Sequence, residues 1–565
     1  MRAKAYLILI ITCSVFLFAS CHKVLDQKPL DQITDPQLWG NQTDVVLYTN
    51  NFYSQLTSGF GGSNVITGGA WLMSCLTDDA VTANANSTAQ KYYSTSAYDA
   101  YYRTITPIWG SRYIYIRRAN IYLANIDGVP GDPQLNKRLK AEVRFLRAYY
   151  YYDLVQYYGG VPIITVAQDA IDSTMFTVRS TLDSCQKFII SQLDSAANDL
   201  PTQYASADLG RVTKQAAWGL KCRVQMMKAS STQSPQDWAA AAATAQSIMN
   251  LGANSLLTVT STDSSVLAKN YSNVFSAPNN AEMILSVQHN FNSAELATYF
   301  DYNNQSPYYG GLGSTCPTQN LVDDYEMMKT GLAIGVAGSG YNAANPYAGR
   351  DPRFYATVLY DGAPFKNRNM QMYNGGLDLV TSTGAPYTTG TTTPTGYYLR
   401  KFTNESIAFS GSVAASGYNW PLIRYAEVLL NYAESQNKAV GPDASVQAAV
   451  NQVRTRAGMP QVANNLTQGA MDTVIRHERR IELAFEDNRY WDAKRWGTAA
   501  TWFNTATTPS RKMSITLNAA TGVKTYTPAT NYSNSKVFGA RNYLFPIPQI
   551  EVDMVGSKLT QNSGW

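Results

Sequence analysis

The chain has 565 residues, of which 45% are hydrophobic and 15% charged, and a formal net charge of +5. A chain of that length and balance buries substantial cores and is neither disordered nor fibrous. Near-neutrality at this size, with no basic tract interleaved with aromatics, argues against a nucleic-acid partner.

The first element is a leader. MRAKAY supplies a short basic region, and LILIITCSVFLF supplies an apolar run too short to span a bilayer as a mature helix. The run ends in Phe18-Ala19-Ser20-Cys21, which resembles the lipobox of bacterial lipoproteins and makes Cys21 the lipidated N-terminus of the mature chain. Residues 1–20 then form a signal peptide, and loss of Arg2 and Lys4 lowers the net charge from +5 to +3. No other apolar run reaches transmembrane length, so the expected state is anchored to a membrane and not threaded through it. The cysteines left besides Cys21 are Cys75, Cys185, Cys222 and Cys316; they lack CxxC spacing, which disfavours zinc and leaves three disulfide pairings open.

After about twenty tether-like residues the chain turns helical near Pro36. In WGSRYIYIRRANIYLANID, Trp109, Tyr113, Ile116, Asn120 and Leu123 recur at three- and four-residue steps. The next helix, NKRLKAEVRFLRAYYYYDLVQYY, carries a basic stripe of Lys137, Lys140, Arg144 and Arg147. Its wide apolar arc predicts packing on more than one side. Gly159-Gly160 and Pro162 stop it, and its tyrosines read as core between helices. A second helical pair follows in RVTKQAAWGLKCRVQMMKAS and PQDWAAAAATAQSIMNLG, with Gly252 as C-cap. A third lies in PLIRYAEVLLNYAESQNK and VQAAVNQVRTRAG. Recurring antiparallel pairs predict a mainly α fold of tetratricopeptide-like helix hairpins that stack on a shared core. Between residues 252 and 419 Gly, Asn, Ser, Thr and Tyr dominate. EMILSVQHNF reads as a strand there, and the rest as long loops on a rigid scaffold, a pattern that favours function.

Signals for catalysis fail in turn. HERRI at His477 lacks the second histidine of HExxH, and only His22, His289 and His477 exist to supply a metal site or a triad. GVAGSG is followed by Asn and Pro instead of a helix. Asp78-Asp79 and Asp323-Asp324 read as surface turns in preference to a glycosidase pair. Glu478, Glu482 and Glu486, interleaved with Arg476, Arg479 and Arg480, read as a helix laced by ion pairs and docked through Trp491 and Trp496. The expectation is no enzyme, no cofactor and no metal.

Four stretches in order carry a family resemblance: AEVRFLRAYYYYDLVQYYGGVPI, WPLIRYAEVLLNYAES, ERRIELAFEDNRYWDAKRWG and FPIPQIEVDMVGSKLTQNSGW, behind the start CHKVLDQKP. Together they are similar, over essentially the whole length, to the SusD/RagB family of outer-membrane nutrient-binding lipoproteins. The resemblance implies one domain over 21–565: helical repeats at about 36–251 and 420–500, a loop-rich ligand-binding insert with short strands at about 252–419, and a C-terminal segment from about 500. It also implies lipid anchoring at the cell surface and a SusC-like TonB-dependent β-barrel transporter as partner. The cargo would be an oligosaccharide, with peptides, or a purely protein-binding scaffold, as alternatives. Aromatic rings cover the apolar faces of sugars while polar side chains bond their hydroxyls. On that ground the candidate ligand residues outside the scaffold are Trp71 with Tyr98, Tyr101 and Tyr102 in SAYDAYYRT, and Tyr308-Tyr309 between Pro307 and Gly310.

Overall fold

The computed structural model describes residues 35–60, 71–83, 94–101, 106–168, 177–290, 298–379, 392–407, 416–529 and 535–565. The leader, Cys21 and the tether lie outside the described residues. Helices α1 (Asp35–Gly40) and α2 (Gln42–Tyr53) open the frame, followed by α3 (Thr106–Asn125), α4 (Pro133–Tyr158), α5 (Leu182–Asp199), α6 (Lys214–Thr232) and α7 (Pro235–Leu251). The insert holds α8 (Ser264–Ser276), α9 (Phe300–Asn304), α10 (Gln319–Asp324) and α11 (Pro352–Thr357). The frame then resumes with α12 (Tyr425–Val440), α13 (Ala444–Arg456), α14 (Gln468–Glu482) and α15 (Asn488–Arg495). From α3 to α7 each helix packs on the next; α7 packs on α12 across the insert, and α12 on α13 and α14. The mainly helical fold is the one that the repeat pattern predicts.

Local chemistry sets the helix starts. Asp132 accepts the Gln134 amide ahead of Pro133, Thr213 caps α6, and Ser234 caps α7 before Pro235. Helix α5, which the sequence reading passed over, fills the space between α4 and α6 with Ile189, Leu193 and Ala196; its signal was Thr181, whose hydroxyl accepts the Ser184 amide. All six tyrosines from Tyr149 to Tyr158 are buried, and several of their hydroxyls bond across the packing: Tyr150 donates to the Phe52 carbonyl at 2.6 Å, and Tyr151 to Ile164 at 3.0 Å. A ring taken fully out of water contributes about 2 kcal/mol, so this helix is the keystone of the first half. It ends at Gly159, whose φ of +75° favours glycine, while a Cβ on Gly160 would lie 2.2 Å from the Ser180 carbonyl.

The strands form two-stranded antiparallel ladders: β1 (Ala80–Thr82) with β3 (Thr315–Pro317), β2 (Met283–Val287) with β8 (Trp420–Arg424), β4 (Val358–Leu359) with β7 (Tyr398–Leu399), β5 (Pro364–Phe365) with β6 (Arg368–Asn369), and β9 (Lys512–Leu517) with β10 (Lys524–Ala529). The predicted strand in EMILSVQHNF is β2, and its pairing with β8 closes the insert at its base. Cys75, Cys185, Cys222 and Cys316 are all free and buried.

Two sequence readings need correction. The glutamates of ERRIELAFEDNRYWDAKRWG do not lie on a single helix laced by its own arginines. Helix α14 ends at Glu482, a turn with left-handed Phe485 and Asp487 follows, and α15 begins at Asn488. Glu478, Glu482 and Glu486 are buried, and their partners come from elsewhere. Arg353 bonds Glu478 and Glu482; Arg424 bonds Glu482 at 2.6 Å and Glu486 at 2.7 Å; Arg456 bonds Glu482 and Glu282; Lys401 bonds Glu486 at 2.7 Å. Asp78-Asp79 is likewise no surface turn, because both residues are buried against Arg480, and Asp78 also against Arg489.

Candidate functional site

A cleft of about 960 Å³ opens between the insert and β10, among α8, the segments around 345–348, 355–364 and 400–406, and Lys524 and Tyr526. Helix α8 packs on α11, and the cleft opens where they part from the loops. Four half-buried tyrosines line it: Tyr355, Tyr360, Tyr418 and Tyr526. Their positions follow from the packing beneath. Tyr360 stacks on Phe354 (centroids 4.9 Å apart, planes at 26°) and leans on Tyr347 at 4.7 Å; Tyr347 in turn meets Tyr526 edge-on at 5.6 Å. Tyr355 spends its hydroxyl inside the protein, donating to the Tyr347 carbonyl at 2.8 Å. The hydroxyls of Tyr360 and Tyr418 have no protein partner among the described residues. Burial pushes the Tyr360 phenol up to about 12 and Tyr418 in the same direction, so both keep a proton to donate.

Charges in the cleft come in pairs. Arg400 directs Nε and one terminal nitrogen to the same Glu405 oxygen, at 3.0 and 2.7 Å. Lys524 on β10 binds the buried Asp361 at 2.7 Å, and the Tyr526 hydroxyl adds a bond at 3.1 Å. These two carboxylates are thus held as hydrogen-bond acceptors instead of standing as a free pair. Among the described residues no group of three or more His, Cys, Asp or Glu is placed to hold a metal.

Next to the cleft lies a shelf formed by Tyr308 and Tyr309, edge to face at 5.1 Å. The Arg368 guanidinium sits 4.0 Å from the Tyr308 centroid and the Lys366 ammonium 4.7 Å from that of Tyr309, as expected for cations over ring faces. Arg368 is fixed by a two-pronged bond to Asp378, 2.8 Å on each arm. Shelf and cleft meet at Lys366, whose amide reaches Glu405 at 3.4 Å.

Of the residues expected to hold a ligand, Tyr308 and Tyr309 are half-buried and adjoin the cleft. Trp71 and Tyr98 are withdrawn from solvent: Trp71 is 2% exposed in the core, and Tyr98 is 4% exposed, stacked between Phe545 and Trp565 at 5.4 and 4.9 Å. Tyr101 is 74% exposed but stands by the C-terminal segment, where the Ala100 carbonyl accepts the Gln549 amide. Tyr102 and Cys21 lie outside the described residues. Missed by sequence reasoning were Tyr355, Tyr360, Tyr418, Tyr526, Arg400 and Glu405. The only local signal was in YATVLYDGAP, where Tyr355 and Tyr360 flank a short strand before a Gly-Pro turn.

A stack of helix hairpins carrying a tyrosine-lined, hydroxyl-rich cleft in an irregular insert is the architecture of a binding protein. Comparisons with known proteins narrow the class. Residues 265–565 match the SusD family, and residues 38–226 match a family described as starch-binding and associating with the outer membrane. SusD-like protein P25 of Formosa agariphila is 26% identical over 422 residues, 70% of either chain. A SusD-like carbohydrate-binding protein of Bacteroides fragilis superposes with a TM-score of 0.74 at 26% identity, covering 93% of this chain and all of that one. A laminarin-binding SusD-like protein shares the fold, with a TM-score of 0.65 at 22% identity and coverage of 93% and 100%. The chain belongs to the SusD family. Association with the outer membrane fits that membership, and no described helix is long and apolar enough to cross a membrane.

Proposed function

We propose that this protein captures an oligosaccharide in the insert cleft without altering it and passes it to a SusC-like TonB-dependent barrel, while Cys21 tethers it to the outer membrane at the cell surface. The observation that carries the reading is the cleft of about 960 Å³, whose half-buried tyrosines alternate with paired charges and hydroxyls. That volume lies at the upper end of ligand sites, roughly 300–1,000 Å³, and suits several sugar rings. Rings offer flat apolar cover, and the Tyr360 and Tyr418 hydroxyls supply unused donors for the sugar rim. The carbohydrate-binding and laminarin-binding relatives support the same cargo class. Two carboxylates already clamped by Lys524 and Arg400 favour holding over hydrolysis.

The test is affinity electrophoresis of the mature protein through gels containing candidate glycans. The pair Tyr360→Ala with Tyr418→Ala should lose retention while Tyr101→Ala keeps it, and the glycan should be recovered uncleaved. Undiminished retention of the double variant would place the site elsewhere.

A further inference from the structure

The cleft carries ionic groups and yet little unmatched charge. Arg400 is committed to Glu405 and to the Tyr355 carbonyl; Lys524 is committed to Asp361; Lys401, in the wall behind, is committed to Glu486. On the neighbouring shelf Arg368 is committed to Asp378, and Lys366 donates to the Ile407 carbonyl at 2.5 Å. Lys269 is the lining cation without an ion pair among the described residues, and it stands exposed at the rim, where water and salt screen it.

Taking the cleft as an oligosaccharide site, as proposed above, we infer that it selects uncharged glycans and rejects chains bearing uronate or sulfate groups. A ligand anion reaching the remaining N–H donors of Arg400 or Lys524 would stand beside Glu405 or Asp361, whose charge already balances that cation. The carboxylate would then face the new negative charge. Neutral hydroxyls meet no such obstacle. One Glu405 oxygen takes both Arg400 bonds, so the other, which accepts among the described residues the Lys366 amide at 3.4 Å, keeps lone pairs for a sugar hydroxyl. Ser272 and Thr403 spend their protons on the carbonyls of Ala268 and Arg400 and present oxygens that still accept. Tyr360 and Tyr418 supply the matching donors. Donors and acceptors are therefore both present with most of the charge matched inside the cleft, which is the pattern that a polyol complements.

The experiment compares retention of the intact mature protein on a neutral β-glucan (laminarin) and on a polyuronate and a sulfated galactan of similar length, at low and high salt. The expected result is retention on neutral chains only, changing less than about twofold as salt rises, since no ion pair forms across the interface. Glu405→Gln frees Arg400 and should create retention on the polyuronate that high salt abolishes; its melting temperature reports that the fold is intact. Retention of the polyuronate or the sulfated galactan by the unsubstituted protein, or a tenfold loss of neutral-glycan affinity in high salt, overturns the inference and leaves glycan capture standing. Retention on none of these chains, neutral or charged, overturns glycan capture as well.

Discussion

Replacing Glu482 by glutamine keeps the volume of the side chain and removes its charge from the centre of the ionic core. Glu482 is fully buried and meets three guanidiniums: Arg353 at 3.0 Å, Arg424 at 2.6 Å, and Arg456. Burial raises its carboxyl, but the arginines outweigh that effect and hold it well below the usual carboxylate range. None of the three arginines is orphaned by the change. Arg456 keeps Glu282, Arg424 keeps Glu282 and Glu486, and Arg353 keeps Asp351 and Glu478. The loss therefore falls near the low end of the range for breaking a buried pair, about 3 kcal/mol. With an unfolding entropy of roughly 1.1 kcal/mol/K for a chain of this length near 60 °C, the melting temperature should drop by about 3 °C. Thermal melts followed by far-ultraviolet circular dichroism read the shift, and the pre-transition helical signal should stay unchanged. A melting temperature that stays put or rises would refute the reasoning, because desolvation would then cancel the whole attraction among these charges.

The same core sets the response to acid. Burial pushes Glu434 up, yet Arg495, Arg479 and the Trp496 indole N–H hold it at about 2, and Glu478 and Glu486 are held low by their own cations. Folded values below the unfolded one mean stability that is present above about pH 5 and drains as pH falls through 4 towards 2; a melting temperature flat from pH 5 to pH 3 would contradict this. Asp487 behaves in the opposite sense. Burial pushes its carboxyl up to about 7, so folding takes up a proton and stability falls as pH rises from about 4 to about 7. Asparagine tolerates the φ of +62° found there and carries no proton. Asp487→Asn should therefore exceed the parent by up to about 4 kcal/mol at pH 8, with the difference vanishing below pH 4, in paired denaturant titrations.

What the sequence disclosed and withheld divides by range. Helix pairs were legible because a 3.6-residue period and its caps are written within twenty consecutive residues, as in residues 425–440 with Gly441 behind them. Burial of a loop aromatic is not written locally. Tyr98 stands beside Ala and Asp in SAYDAYY, and what removes it from solvent is a C-terminal sandwich of Phe545 and Trp565. The four-residue stepping of Glu478, Glu482 and Glu486 fits an exposed ladder as well as a buried one. Arg353, Arg424 and Arg456 decide the matter, and only the tertiary fold brings them there. The cleft is the extreme case, since Tyr355, Tyr418 and Tyr526 converge from three separated segments.

The position of the ionic core also explains how an irregular insert can hold a defined cleft. Arg424 sits at the junction of β8 and α12 and ties Glu282, just ahead of β2 in the insert, to Glu482 and Glu486 of the frame. Lys401 fastens to Glu486, the Ala484 carbonyl and the Tyr271 hydroxyl, three bonds between 2.7 and 2.9 Å. The residues immediately after Lys401, from Phe402 to Glu405, form one wall of the cleft, and Tyr271 belongs to α8 on the other side. Apolar contacts alone would let such loops slide, because the hydrophobic effect has no direction. Charge-assisted bonds are directional and costly to leave unmade. Lys401 pins one wall to Glu486, and the Tyr271 hydroxyl pins the other to the Glu482 carbonyl at 2.6 Å, so a stiff helical frame sets the width of the site through the short stretch from Glu482 to Glu486.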